Sequence, residues 1–193
     1  MKITKFVFAA VLLALACNSP YTPKRRGYFR IDFPKHEYQV FDRAGFPYTF
    51  EYPVYANVIQ DTTFFEDRPE NPYWINIDFP QFQGRIHISY KEVGKNDLTK
   101  LVNDAYNLTY KHTTKATGIE DSVMRTPNGI TGVFFKVGGN AATAKQFFVT
   151  DSTRHFLRGA LYFDTSPNED SLGIVNDFLQ QDMRHLINTF KWK

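Results

Sequence analysis

The residues able to do chemistry are few, and their spacing excludes most catalytic designs. Five histidines stand at His36, His87, His112, His155 and His185. A zincin-type helix needs two histidines at i and i+4, and compact metal sites need cysteines or acids close by. No pair here has that spacing, and none falls in a short cluster with carboxylates. No metal site is expected. Asp151-Ser152-Thr153-Arg154-His155 brings an acid, a hydroxyl and an imidazole into one short run. It lacks the Gly-x-Ser-x-Gly elbow, and groups this close along a tight turn do not reach triad geometry. The run reads as a hairpin loop capped by its own side chains; the alternative is that Arg154 and Arg158 present a guanidinium fork to a carboxylate or phosphate. Gly138-Gly139-Asn140 has neither the Lys nor the helix of a phosphate loop, so it is a turn. No catalytic residue and no cofactor are expected, and the chain does not read as an enzyme.

The sole cysteine is more informative. One cysteine excludes an internal disulfide, a thiolate zinc cage and an iron–sulfur cluster. It lies at Cys17, behind Ala14-Leu15-Ala16 and the apolar run Phe6 to Ala16, with Lys2 and Lys5 in front. That run is too short to span a bilayer and suits the core of a signal peptide. Residues 1–16 are therefore expected to be removed, and Cys17 to carry a palmitate-type acyl anchor. Several acyl chains on one residue hold a soluble domain at a membrane, where a single chain binds only marginally. The formal charge of +3 then shrinks towards balance, because Lys2 and Lys5 leave with the signal. Nothing in that balance points to nucleic acid. Residues 17–27 form a basic spacer, in which seven residues at about 3.3 Å each carry Lys24 roughly 20 Å from the lipid. Lys24, Arg25 and Arg26 are candidates for contact with anionic headgroups. A solvated linker explains them equally well.

The remaining 28–193 reads as one α+β domain. The 193-residue chain is 42% hydrophobic and unusually aromatic, with 19 Phe and 11 Tyr, enough for a sizeable core. Strand-like alternation appears at Tyr28–Phe33, Tyr48–Tyr52, Trp74–Phe79 and Arg85–Tyr90. The last two flank a Pro80–Gly84 hairpin loop with Gly at its end, and residues 57–72 read as a long surface loop. A helix capped by Asn96 carries Leu98, Leu101, Val102, Ala105 and Leu108 at helical spacing and exits at Gly118. Three or four antiparallel strands come next, drawn from Ile119–Met124, Ile130–Val137, Gln146–Thr150 and Phe156–Phe163, with Thr126-Pro127-Asn128-Gly129 as a turn. A final helix, Asp170–Asn188, draws one apolar stripe and is capped by Ser166 or Asn168. Runs of strands with two separate helices predict an antiparallel sheet packed by helices. The surplus tyrosines, among them Tyr38, Tyr48, Tyr55 and Tyr73, either line a partner surface or fill the core.

Several blocks together resemble one family. Pro23-Lys24-Arg25-Arg26-Gly27-Tyr28-Phe29-Arg30-Ile31-Asp32-Phe33-Pro34 is similar to the mature opening of GldD-type gliding-motility lipoproteins of the Bacteroidota. Tyr110-Lys111-His112, the long block from Gln146 to Phe163 and the segment Phe190-Lys191-Trp192-Lys193 resemble the same family. Arg25 stands where that pattern has Pro. The resemblance implies a cell-envelope lipoprotein anchored by lipid, and because no acidic export-like run follows Cys17 the domain is expected to face the periplasm. It would support gliding and type IX protein secretion as a non-catalytic assembly or stability factor, with machinery proteins as partners and no small-molecule substrate. The order of elements is similar to the PsbP-like α/β/α sandwich. Tyr28, Arg30, Arg154, His155 and Arg158 are the candidate partner contacts. Ser122 and Ser171 fall in Asp-Ser-aliphatic triplets that resemble the phylum's O-glycosylation sequon. The alternative is a periplasmic ligand-binding or hydrolytic lipoprotein with a cleft between the sheet and loop 57–72.

Overall fold

Alternation at period two places every second side chain on one face, and here it builds a seven-stranded sheet with two different faces. The computed structural model describes residues 30–62 and 69–193. Residues 1–32 and 33–193 are separate units, and the architecture is that of the second. Its strands are β1 (Tyr38–Phe41), β2 (Tyr48–Pro53), β3 (Asn57–Gln60), β4 (Ile75–Phe79), β5 (Gly84–Glu92), β6 (Ala116–Arg125), β7 (Thr131–Gly139), β8 (Lys145–Thr150), β9 (His155–Phe163) and β10 (Lys191–Trp192). Helix α1 (Leu98–Tyr110) sits between β5 and β6, and α2 (Glu169–Thr189) between β9 and β10. The large sheet runs β3-β4-β5-β9-β8-β7-β6 and the small one β1-β2-β10, with every named strand pairing antiparallel. The fold is α+β, as the strand runs predict.

Register sorts the large sheet cleanly. Ile75, Ile77, Ile86, Ile88, Phe134, Phe147, Val149, Leu157 and Leu161 share the inner face and join the main core with α2 and the small sheet. Val133, Phe135, Phe148 and Phe156 share the outer face and meet Leu101 and Ala105 of α1. The apolar stripe of α2 lies inward as expected, but Asp182 and Asn176 are buried with it. Asn168 caps α2 by accepting from the Ser171 N–H, and Glu169 and Asp170 suit the positive end of the helix dipole.

Several expectations need correction. Asp97, not Asn96, caps α1: its carboxylate accepts the Lys100 N–H at 2.8 Å, while the Asn96 amide donates to Glu70 and to the Glu92 carbonyl. The helix ends at Tyr110 in a short turn, and Gly118 lies inside β6 at a register shift after Ala116. Asn57–Gln60 is strand, not loop; at an edge it ladders on one side only and needs no apolar alternation. Arg30–Phe33 form no strand, and Pro34 next to them cannot donate to a ladder. At the β4–β5 hairpin Gly84 already belongs to β5, and Gln83 before it takes the left-handed conformation (φ 48°).

The 151–155 loop is self-capped, as its composition suggests. Asp151 Oδ1 accepts from the backbone N–H of Thr153, Arg154 and His155 at 3.0, 2.8 and 2.9 Å. Burial alone would raise the Asp151 carboxyl, but those three donors outweigh it and hold it below the ordinary aspartate value. Asp151→Ala is expected to lose about 1–2 kcal/mol of stability in urea unfolding, on the scale of a lost cap, with Asp151→Asn between it and wild type.

Candidate functional site

Helix α1 has 13 residues and covers only the β7-β8-β9 side of the outer face. Next to it, the outward residues of β5 and β9 floor a cleft of about 970 Å³. His87, Ser89 and Lys91 come from β5; Phe156, Arg158, Ala160 and Tyr162 come from β9. The register sets Ser89 opposite Arg158 and His87 opposite Ala160, and the Tyr162 ring stands edge-on to the imidazole. Leu101, Ala105 and Leu108 of α1 form the opposite wall. This cleft lies between sheet and helix; residues 63–68 of the loop 57–72, against which the alternative cleft is expected, lie outside the described residues.

Arg158 is the one arginine on this floor, and it is largely buried. Its Nη2 donates to Gln146 Oε1, which also accepts from Thr109 Oγ1 of α1 at 3.2 Å. It also touches the Tyr162 hydroxyl. Burial pulls the guanidinium below its ordinary value, yet a guanidinium stays charged at any physiological pH. Among the described residues no carboxylate lies within ion-pair distance of it. Arg85, further along β5 on the same face, is neutralised by Asp78 through two bonds of 2.5 and 3.0 Å. Burial also lowers the imidazoles of His87 and His112, with Arg85 and Arg158 respectively adding to the effect. Both therefore face the cleft as neutral groups at pH 7.

The sequence candidates do not converge. Arg154 is exposed at the loop tip. His155 points to the inner face, where it stacks on Trp192 at 4.9 Å and its Nδ1 shares a 2.6 Å hydrogen bond with the Tyr90 hydroxyl. Arg158 points the other way, so Arg154 and Arg158 make no joint fork. Arg30 is exposed and pairs with Asp32 at 2.8 Å. Ser122 is exposed on edge strand β6, and Ser171 is exposed in the first turn of α2 with its Oγ donating to the Asn168 carbonyl. Cys17, Lys24, Arg25, Arg26 and Tyr28 lie outside the described residues. The tyrosines resolve towards the core: Tyr48 is fully buried, and Tyr52, Tyr55 and Tyr73 pack against it.

A second polar cluster has no signal in the sequence. Asp182 of α2 is buried and accepts from His36 Nδ1 at 2.7 Å, the Tyr38 hydroxyl at 3.1 Å and the Tyr55 hydroxyl at 2.5 Å. Burial first, then the hydrogen bonds to Asp182 and its charge, push both phenols well above the ordinary tyrosine range. The cluster fastens the segment before β1 to α2. Among the described residues, no group of three or more His, Cys, Asp or Glu is placed to hold a metal ion. Among those residues no helix is long and apolar enough to cross a membrane.

Residues 18–192 match the family described as gliding motility lipoprotein GldD. The chain belongs to that family. GldD membership makes it a gliding-motility lipoprotein, which places it in association with a membrane of the cell envelope. No curated protein matches it. Among solved structures it is similar to cyanobacterial PsbP (CyanoP) from Synechocystis sp. PCC 6803, at 13% identity and a TM-score of 0.44, over 89% of this chain and 99% of that one.

Proposed function

We propose that this GldD-family protein is tethered by lipid at Cys17 and supports gliding and type IX secretion as a non-catalytic assembly or stability factor. The domain from Tyr28 onward faces the periplasm and engages machinery proteins. The family match over residues 18–192 carries the reading. The sole cysteine, standing directly behind Ala14-Leu15-Ala16, supports the anchor. Acylation of that one residue supplies membrane affinity without a spanning helix. The exposed Arg154 at the 151–155 loop tip and the exposed Arg30 are arginine candidates for a partner contact.

The test compares wild type with Cys17→Ser in cells lacking the native copy. The wild-type protein should sediment with membranes and restore gliding and secretion. Cys17→Ser should move to the soluble periplasmic fraction and lose most of that rescue. Cys17→Ser that stays membrane-bound and fully active would refute the tether. Capture of the tagged wild-type protein from solubilised envelopes should bring down secretion and motility components; failure to do so would refute the assembly role.

A further inference from the structure

We propose that the cleft between α1 and the β5–β9 floor binds an amphipathic monocarboxylate, its carboxylate on Arg158 and its apolar body along Leu101, Leu108 and Phe156. This adds a small ligand to a chain whose sequence leads us to expect none, and it does not depend on the lipid tether. Burying a charge without a counter-charge is expensive, and proteins pair such groups. Buried Lys145 obeys that rule, reaching Asp177 at 3.4 Å. Arg158 breaks it among the described residues, while opening onto a cleft of ligand size.

The ligand class is set by the charges and walls around Arg158. A guanidinium has five N–H donors in a planar fork that fits a carboxylate. Gln146 and Tyr162 take part of that fork and leave donors over. Lys91, on the cleft rim, is already paired with Glu70 at 2.8 Å. Asp104 on α1 and Lys111 beyond its end place one charge of each sign on the lining. Burial disfavours the charged form of both His87 and His112, so neither adds a cation to the lining at pH 7. One buried cation therefore matches a monoanion better than a phosphate dianion. Leu108 is 41% exposed although it lies on the cleft wall, and Phe156 and Leu101 continue the apolar surface. An alkyl or aromatic tail on the anion would bury that surface.

Octanoate is the probe, followed by amide chemical shifts in the folded wild-type domain, with octanol and acetate as matched controls. Octanoate should shift the amides of Ser89, Leu108, Arg158 and Ala160 saturably. Octanol and acetate should each bind roughly tenfold more weakly or less, as loss of a charge-assisted bond or of the tail dictates. Arg158→Gln should weaken octanoate by roughly tenfold or more while leaving octanol unchanged. Arg158→Lys keeps the charge and should fall between. Absence of saturable shifts at millimolar octanoate would overturn the proposal. Equal binding of octanol, or of acetate, would also overturn it. The wild-type comparison of the three compounds decides the matter even if Arg158→Gln fails to fold, because Arg158 also braces Gln146 and Thr109 of α1.

Discussion

Gly132→Ala is expected to unfold the protein at temperatures where the wild type is stable, with a loss of about 3 kcal/mol or more in denaturant titration. Gly132 lies on β7 opposite Val149, and a Cβ there would stand 2.0 Å from the Phe148 carbonyl oxygen and 3.0 Å from its carbon. Both atoms are backbone of β8, a strand bonded on either side, so they cannot give way singly. Relief requires β7 and β8 to part, which opens both cores because Phe134 and Phe147 face one and Val133 and Phe148 the other. Gly173 in α2 is the control. No atom lies within 4 Å of its Cβ position, so Gly173→Ala should stabilise by about 0.5–1 kcal/mol through helix propensity alone. A Gly132→Ala protein within about 1 kcal/mol of wild type, on the order of a surface change, would show that the strands are not spaced as described.

Asp182→Ala should lose about 3–5 kcal/mol, the scale seen when one partner of a buried charged cluster is removed. The substitution strands three donors at once: the His36 ring and the Tyr38 and Tyr55 hydroxyls. Asp182→Asn keeps the shape and one acceptor oxygen, so it should fall between Ala and wild type. Hydrogen exchange separates a local from a global effect. The amides around Tyr38–Phe41 should exchange faster in Asp182→Ala than those of β8 and β9, because the cluster anchors the segment leading into β1. Uniform loss of protection would instead assign Asp182 to the stability of the whole core.

These two sites also mark the boundary of what the sequence makes legible. The inner-face alternation of β5 and β9, the stripe of α2, the Thr126–Gly129 turn and the self-capped Asp151 loop are local patterns, and all are present in the fold. Arg158 falls on the polar side of its strand by simple alternation. That the outer face is left open there is a tertiary fact, fixed by the length and position of α1. Asp182 reads as a polar interruption of an apolar stripe, because its partner His36 is 146 residues away. Asp97 outcompetes Asn96 as a cap because Glu70 and the Glu92 carbonyl engage the Asn96 side chain, which no window around Asn96 reveals. Strand β3 carries only Val58 and Ile59 between polar residues, so its pairing with β4 sets it and periodicity does not.

The pairing of β10 with β2 has a kinetic consequence. Lys191 and Trp192 complete a sheet whose other strands are made far earlier in the chain, and Lys193 N–H closes on the Pro47 carbonyl at 3.0 Å. Contacts of such long sequence separation form late, because the intervening chain must be ordered first. The small sheet is therefore complete only once α2 has docked and brought Lys191 and Trp192 alongside β2.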